Sequence, residues 1–229
     1  MDAIGPPGED DQVSEDALRF TEIEHKFIVD EQFDLSGFRD ALASLQPARI
    51  SSIRVRDRYY LTEGGRRGRF VIRHRYDPEL HHLTLKTVEA DTEVRSEINL
   101  DLGHHAGDQR AVVDAFLDRL GVAWSGTLYK DLDVWRFPDI EVVHYRASTD
   151  ARSIRCVEFE ATRKPSLADA LSTVQRYERA TGFDVRERSR LSLPQILFPE
   201  VAELLDDGTA SPPGTVTHAA QDTGTTDVS

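Results

Sequence analysis

Apolar and polar residues alternate with period two from Phe20 to Val29 and again over 50–62, 69–76, 81–88 and 93–102, which predicts strands. Three stretches follow a helical spacing instead. In 35–45 the apolar positions are Leu35, Phe38, Ala41, Leu42 and Leu45, with Pro47 as the stop. Residues 108–120 are amphipathic and are closed by Gly121, and 166–181 begins after Pro165 and stops at Gly182. Strands are predicted again over 125–137, 139–147 and 153–163, with a short last one over 185–193. Asp77-Pro78 marks a turn, and Gly64, Gly65 and Gly68 lie between strands, where a hairpin rather than a phosphate-binding loop is expected. About eight strands with short connections and three helices give an α+β class.

The faces of these strands carry the chemistry. Alternate residues of a strand point to opposite sides. Glu22, Glu24 and Lys26 therefore share a face opposite Ile23, His25 and Phe27. Arg73 and Arg75 oppose Phe70, Ile72 and Tyr76; Lys86 and Thr84 oppose Leu83 and Leu85. Glu97 and Asn99 oppose Ile98 and Leu100, and Glu158 and Glu160 oppose Val157 and Phe159. Two architectures explain such strands: a half-buried sheet whose charged face meets water, or a barrel whose charged face lines a hydrated lumen under helical cover. Arg54, Arg56 and Arg58 extend such a lumen or face water.

Charge narrows the partners. The net charge of −13 lies mostly in the ends: residues 1–16 carry −6 and residues 201–229 carry −5, which leaves −2 for the body. The chain reads as an acidic disordered arm (1–18), one folded domain (19–200) and an acidic disordered tail (207–229). A body without basic excess disfavours nucleic acid. No apolar run approaches the ~20 residues of a membrane helix and no signal peptide opens the chain, so the expected compartment is the cytoplasm. The single cysteine, Cys156, excludes an internal disulfide and a thiolate zinc cage. Only four of the 28 basic residues are lysines, namely Lys26, Lys86, Lys130 and Lys164.

The order Glu22-x-Glu24-x-Lys26, Arg73-x-Arg75, Leu83-Thr84-Leu85-Lys86, Arg95-x-Glu97, Lys130 and Glu158-Phe159-Glu160 resembles the CYTH family, also called triphosphate tunnel metalloenzymes, from about residue 20 to 193. The resemblance implies an eight-stranded antiparallel β tunnel, a closed barrel with flanking helices, as in inorganic triphosphatases, thiamine triphosphatases and class IV adenylyl cyclases. It assigns Lys26, Arg73, Arg75, Lys86 and Lys130 to substrate phosphates, and Glu22, Glu24, Glu158 and Glu160 to a divalent metal, Mg²⁺ or Mn²⁺. Lys26 and Glu97 are its catalytic candidates. Three positions depart from the family pattern. Asn99 stands where a second acid is usual, Leu132 where an arginine is usual, and Tyr145 or His144 where an aspartate is often found.

The chemistry is coherent in itself. Arginine forks and lysine ammonium groups match the roughly four charges of a triphosphate. Carboxylate oxygens suit hard divalent cations. The expected activity is hydrolysis of a triphosphate-like substrate, foremost inorganic tripolyphosphate. A cyclase making cyclic AMP from ATP, and a non-catalytic tunnel that binds polyphosphate or nucleotide, are the alternatives. Oligomeric state is not legible.

Overall fold

A computed structural model describes residues 20–88, 94–105, 109–161 and 166–206. The predicted acidic arm and the predicted tail lie outside them. Eight strands follow the alternating segments closely: β1 (Phe20–Val29), β2 (Arg49–Thr62), β3 (Phe70–Tyr76), β4 (His81–Thr87), β5 (Val94–Asp101), β6 (Val122–Arg136), β7 (Ile140–Ser148) and β8 (Ser153–Ala161). Six helices accompany them: α1 (Leu35–Ser44), α2 (Glu63–Gly68), α3 (Gln109–Leu117), α4 (Leu167–Thr181), α5 (Leu193–Leu197) and α6 (Pro199–Asp206). Local signals set their ends. The Asp34 carboxylate accepts from the Gly37 backbone N–H at 2.9 Å to cap α1, Ser166 caps α4, and Gly182 ends α4 in the left-handed region at φ 84°.

All pairings are antiparallel, in the order β1-β5-β4-β3-β2-β6-β7-β8, with β1 also paired to β8. The sheet curls far enough to share its first strand, but unevenly. Residues 20–23 of β1 face residues 94–97 of β5, whereas Ile23 to Val29 pair with β8. Beyond Ile23 the β5 side of β1 is taken up by the segment that follows α4, where the Ser189 N–H donates to the Lys26 carbonyl at 2.7 Å. The expectation of a closed barrel is therefore corrected: the sheet is a curled half-barrel, because that segment sits on the edge where β5 would have to continue.

Both faces of the curl are packed. Outside, α1 and α4 cover β1, β8, β7 and β6 through Phe38, Leu42, Ala170, Val174 and Tyr177 against Ile23, Phe27, Trp135, Val142, Val157 and Phe159. Inside, one end is filled by α5, α6 and Phe198 between them: Leu193, Leu197, Phe198, Val201 and Leu205 pack on Leu61, Val71, Val88, Leu128, Tyr145, Ala147 and Cys156. The charged face is thus charged over only part of its length.

The glycine cluster closes the expected β2–β3 hairpin, and it does so through the short helix α2: the Thr62 hydroxyl accepts from Gly65 N–H at 3.0 Å, and a Cβ on Gly65 would lie 2.5 Å from the Phe70 carbonyl, so only glycine fits. The short strand expected over 185–193 is a 3₁₀ turn (Val185–Glu187) followed by the start of α5, which is fixed by a capping box of Ser192 and Gln195.

Candidate functional site

Inside the curl, Glu24, Lys26, Arg73, Arg75, Lys86, Lys130, Glu158 and Glu160 line one pocket. Eight of the predicted site residues thus meet because strand parity sends them all inward. Glu97 is buried and ion-paired with Lys86. The side chains of Glu22 and Arg95 lie outside the described residues. Arg54, Arg56 and Arg58 point outward: Arg54 bonds Asp131, while Arg56 and Arg58 turn to Asp114 on α3.

One wall is acidic. Glu24 on β1 pairs across strands with Glu160 on β8, which pairs with Glu141 on β7. Three carboxylates in one cross-strand row repel one another unless cations join them. Arg136 supplies one, its Nε donating to Glu141 at 2.8 Å. One row further in, Lys26 Nζ lies 2.9 Å from Glu24 and 3.0 Å from Glu158, and is 3% exposed. Glu158 also accepts from the Tyr145 hydroxyl at 2.6 Å. Tyr145 carries the Lys130 ammonium 5.1 Å from its ring centroid.

The facing wall is basic, and it is held from below. Asp57 on β2 is fully buried and accepts from Arg75 Nε and its terminal guanidinium nitrogen, both at 2.8 Å, with Lys130 Nζ at 3.4 Å. Burial alone would raise the Asp57 pKa, but Arg75 and Lys130 outweigh it and hold the carboxyl well below the usual range. Burial pulls the Lys130 pKa below the ordinary lysine value, against the pull of Asp57. Arg73 donates to Thr84 Oγ1 at 3.1 Å, and Thr84 donates to Asn99 at 2.7 Å, which is what the amide at that departing position does. Among the described residues, Arg73 Nε is buried without a hydrogen-bond partner, a donor left for a ligand.

Sequence reasoning gave no role to Glu141, Asp57 or Thr84, nor to the Ser192–Pro194 segment that closes one side of the pocket. Asp57 had a signal: it is the one charged residue on the face shared by Ile53, Val55 and Tyr59.

Cys156 is buried in the inner core, and burial together with nearby Glu158 pushes its thiol up to about 12. A thiol reagent is therefore expected to leave the folded protein unlabelled and to titrate one thiol after denaturation. Rapid native labelling would contradict this packing.

Among the described residues no three His, Cys, Asp or Glu side chains form a ready ligand set around one point. The acidic row nonetheless has the donor chemistry of a hard divalent cation, since its donors are all carboxylate oxygens on adjacent strands.

A family model, the CYTH domain, matches residues 21–177. No curated protein matches the sequence. Among solved structures, the PH1012 protein from Pyrococcus horikoshii aligns with TM-score 0.61 at 14% identity, covering 77% of this chain and 99% of its own. A conserved hypothetical protein from Pyrococcus furiosus aligns with TM-score 0.58 at 18% identity, over 77% and 99%. A candidate adenylate cyclase from Bacillus halodurans aligns with TM-score 0.53 at 18% identity, over 79% and 99%. At these identities the likeness is one of fold. No helix of the described residues is long and apolar enough to cross a membrane.

Proposed function

The chain belongs to the CYTH domain family, which includes triphosphatases, and from that premise we propose that it hydrolyses a triphosphate, foremost inorganic tripolyphosphate, with the help of Mg²⁺ or Mn²⁺. The observation that carries this reading is the opposition of the two walls in one pocket: Arg73, Arg75, Lys86 and Lys130 facing the row Glu24–Glu160–Glu141.

In this reading Arg73, Arg75, Lys86 and Lys130 hold the phosphate chain, with Arg73 Nε supplying a donor that has no partner among the described residues. Asp57 keeps Arg75 and Lys130 in place. Glu24 and Glu160, with Glu22 and Glu158 from the sequence reading and Glu141 from the structure, hold the divalent cation. When bound, the cation offsets phosphate charge and lowers the pKa of a coordinated water. The pocket otherwise nearly balances its own charge. Lys26, Arg73, Arg75, Lys86, Lys130 and Arg136 stand against Glu24, Asp57, Glu97, Glu141, Glu158 and Glu160. Lys26 is the catalytic candidate: a fixed ammonium between two carboxylates can follow charge that develops on a leaving oxygen. Glu97 holds Lys86 and keeps its ammonium in the wall. We place the C-terminal border of the folded unit after α6, since Leu205 is buried in the inner core.

The test is a turnover screen of tripolyphosphate, thiamine triphosphate and ATP with Mg²⁺ or Mn²⁺. Phosphate release, fastest from tripolyphosphate, supports the proposal. Cyclic AMP from ATP would make the chain a cyclase, and silence on all three with a folded protein would leave a binding tunnel.

A further inference from the structure

On the outer face, behind the basic wall, two histidines are arranged as no strand packing requires. His74 on β3 and His81 on β4 are 0% and 1% exposed, and their Nε2 atoms face each other at 3.1 Å. The opposite nitrogen of each ring is committed. His81 Nδ1 lies 2.8 Å from the Gly103 carbonyl, which can only accept, so that nitrogen carries a proton. His74 Nδ1 lies 2.8 Å from Asp114 Oδ1. The same carboxylate accepts from the Tyr60 hydroxyl at 2.6 Å and from Arg56 at 2.7 Å, with Arg58 at 3.6 Å. Burial would raise the Asp114 pKa, but His74, Tyr60 and Arg56 outweigh it, so the group is an ionised acceptor. His74 Nδ1 must therefore donate as well.

Both Nε2 lone pairs are thus left facing each other, and two acceptors at that distance need a cation between them. A shared proton is one choice. The other choice is a metal ion. Imidazoles whose far nitrogens donate to a carboxylate and a backbone carbonyl are the usual outer shell of a histidine metal site. Two ligands on one tetrahedral ion, each at 2.0–2.1 Å, stand about 3.3 Å apart, close to the observed separation. The exposed ring of His104 lies 6.0 Å from that of His81, centroid to centroid.

We propose that His74 and His81 bind a transition-metal ion of the Zn²⁺ class through Nε2, with His104 swinging in as third ligand and water as the fourth. Neutral imidazoles select such ions over Mg²⁺ or Mn²⁺. The site is separate from the acidic row: it joins β3, β4, α3 and the loop after β5, and it lies on the strand that carries Arg73 and Arg75. No third ligand stands in place among the described residues, so His104 closes the site only when metal arrives.

The test uses the full chain stripped with chelator and then saturated with Mg²⁺, so that the carboxylates are occupied. Calorimetric titration with Zn²⁺ is expected to give one equivalent bound. His81→Gln should weaken that binding by roughly 100-fold, and Asp114→Asn by about 10–100-fold. His82→Ala, on the opposite face of β4, should leave it unchanged. Absence of Zn²⁺ binding, or binding unaltered in His81→Gln, overturns the proposal and leaves a shared proton. Should His81→Gln fail to fold, cobalt decides on the wild-type chain. Intense visible bands of four-coordinate, nitrogen-ligated Co²⁺ support the site, and the pale spectrum of an octahedral oxygen site overturns it.

Discussion

Replacing Asp57 with alanine is expected to destabilise the protein by about 3–5 kcal/mol, because removing one partner of a buried ion pair leaves the other charges uncompensated. Arg75 and Lys130 would then face each other at the base of the pocket without the carboxylate that accepts from Arg75 and lies near Lys130. The loss should appear as a melting temperature lower by roughly 10 °C or more for a domain of this size. Asp57→Asn keeps the volume but not the charge and should fall between. The pH dependence has a definite sign. The folded carboxyl is held below its unfolded value near 3.9, so its contribution is complete above about pH 4 and is lost as the pH falls below that. The alanine variant should therefore lose less stability on acidification than the wild type. Equal melting temperatures at neutral pH, or equal acid sensitivity, would show that the charge does not hold the wall.

Glu160→Gln is expected to cut metal-dependent phosphate release by roughly 100-fold or more while leaving tripolyphosphate affinity unchanged or slightly raised. Glu160 is the middle carboxylate of the row, flanked by Glu24 and Glu141. Removing its charge therefore weakens the hold on a divalent cation from both sides, and changes around a metal cost activity on this order. The basic wall is untouched, and one negative charge near the phosphates is gone. Glutamine keeps the side-chain shape, so folding should survive. Phosphate release titrated with Mg²⁺ separates the causes: a metal role moves the metal concentration for half-maximal rate upward. A variant with the wild-type rate and metal dependence would remove Glu160 from the site.

The parts of this pocket that could be read from the sequence are those for which residue parity suffices. Glu24 and Lys26, Arg73 and Arg75, and Glu158 and Glu160 each sit two apart on a strand with apolar neighbours between, so each pair must share a face. Parity does not say which strands become neighbours. The β1–β5 seam was for that reason not legible, and the segment around Ser189, which reads as a short strand, meets that edge through a single bridge to Lys26. Glu141 was missed because it opens a strand that otherwise reads Ile140-x-Val142-Val143, where a lone acid looks like a strand end. Asp57 was hidden between Arg56 and Arg58, which draw attention to the opposite, outward face. The helices α5 and α6 are five and eight residues long and start at or near Pro194 and Pro199, too short for a helical period to stand out. The outcome is that part of the inner face proved apolar and filled, which no count of charged strand positions could reveal.

The most direct test of the opposed-wall pocket is calorimetric titration of tripolyphosphate in Mg²⁺ into the wild-type chain and into Arg73→Ala. Arg73 is 8% exposed and lines the pocket, and its Nε has no hydrogen-bond partner among the described residues. If it holds a phosphate oxygen, the alanine variant should bind more weakly by roughly 1.5–3 kcal/mol, the cost of a lost charge-assisted contact. Equal affinity in the two proteins, or no binding by the folded wild type, would contradict the assignment of this wall to phosphate.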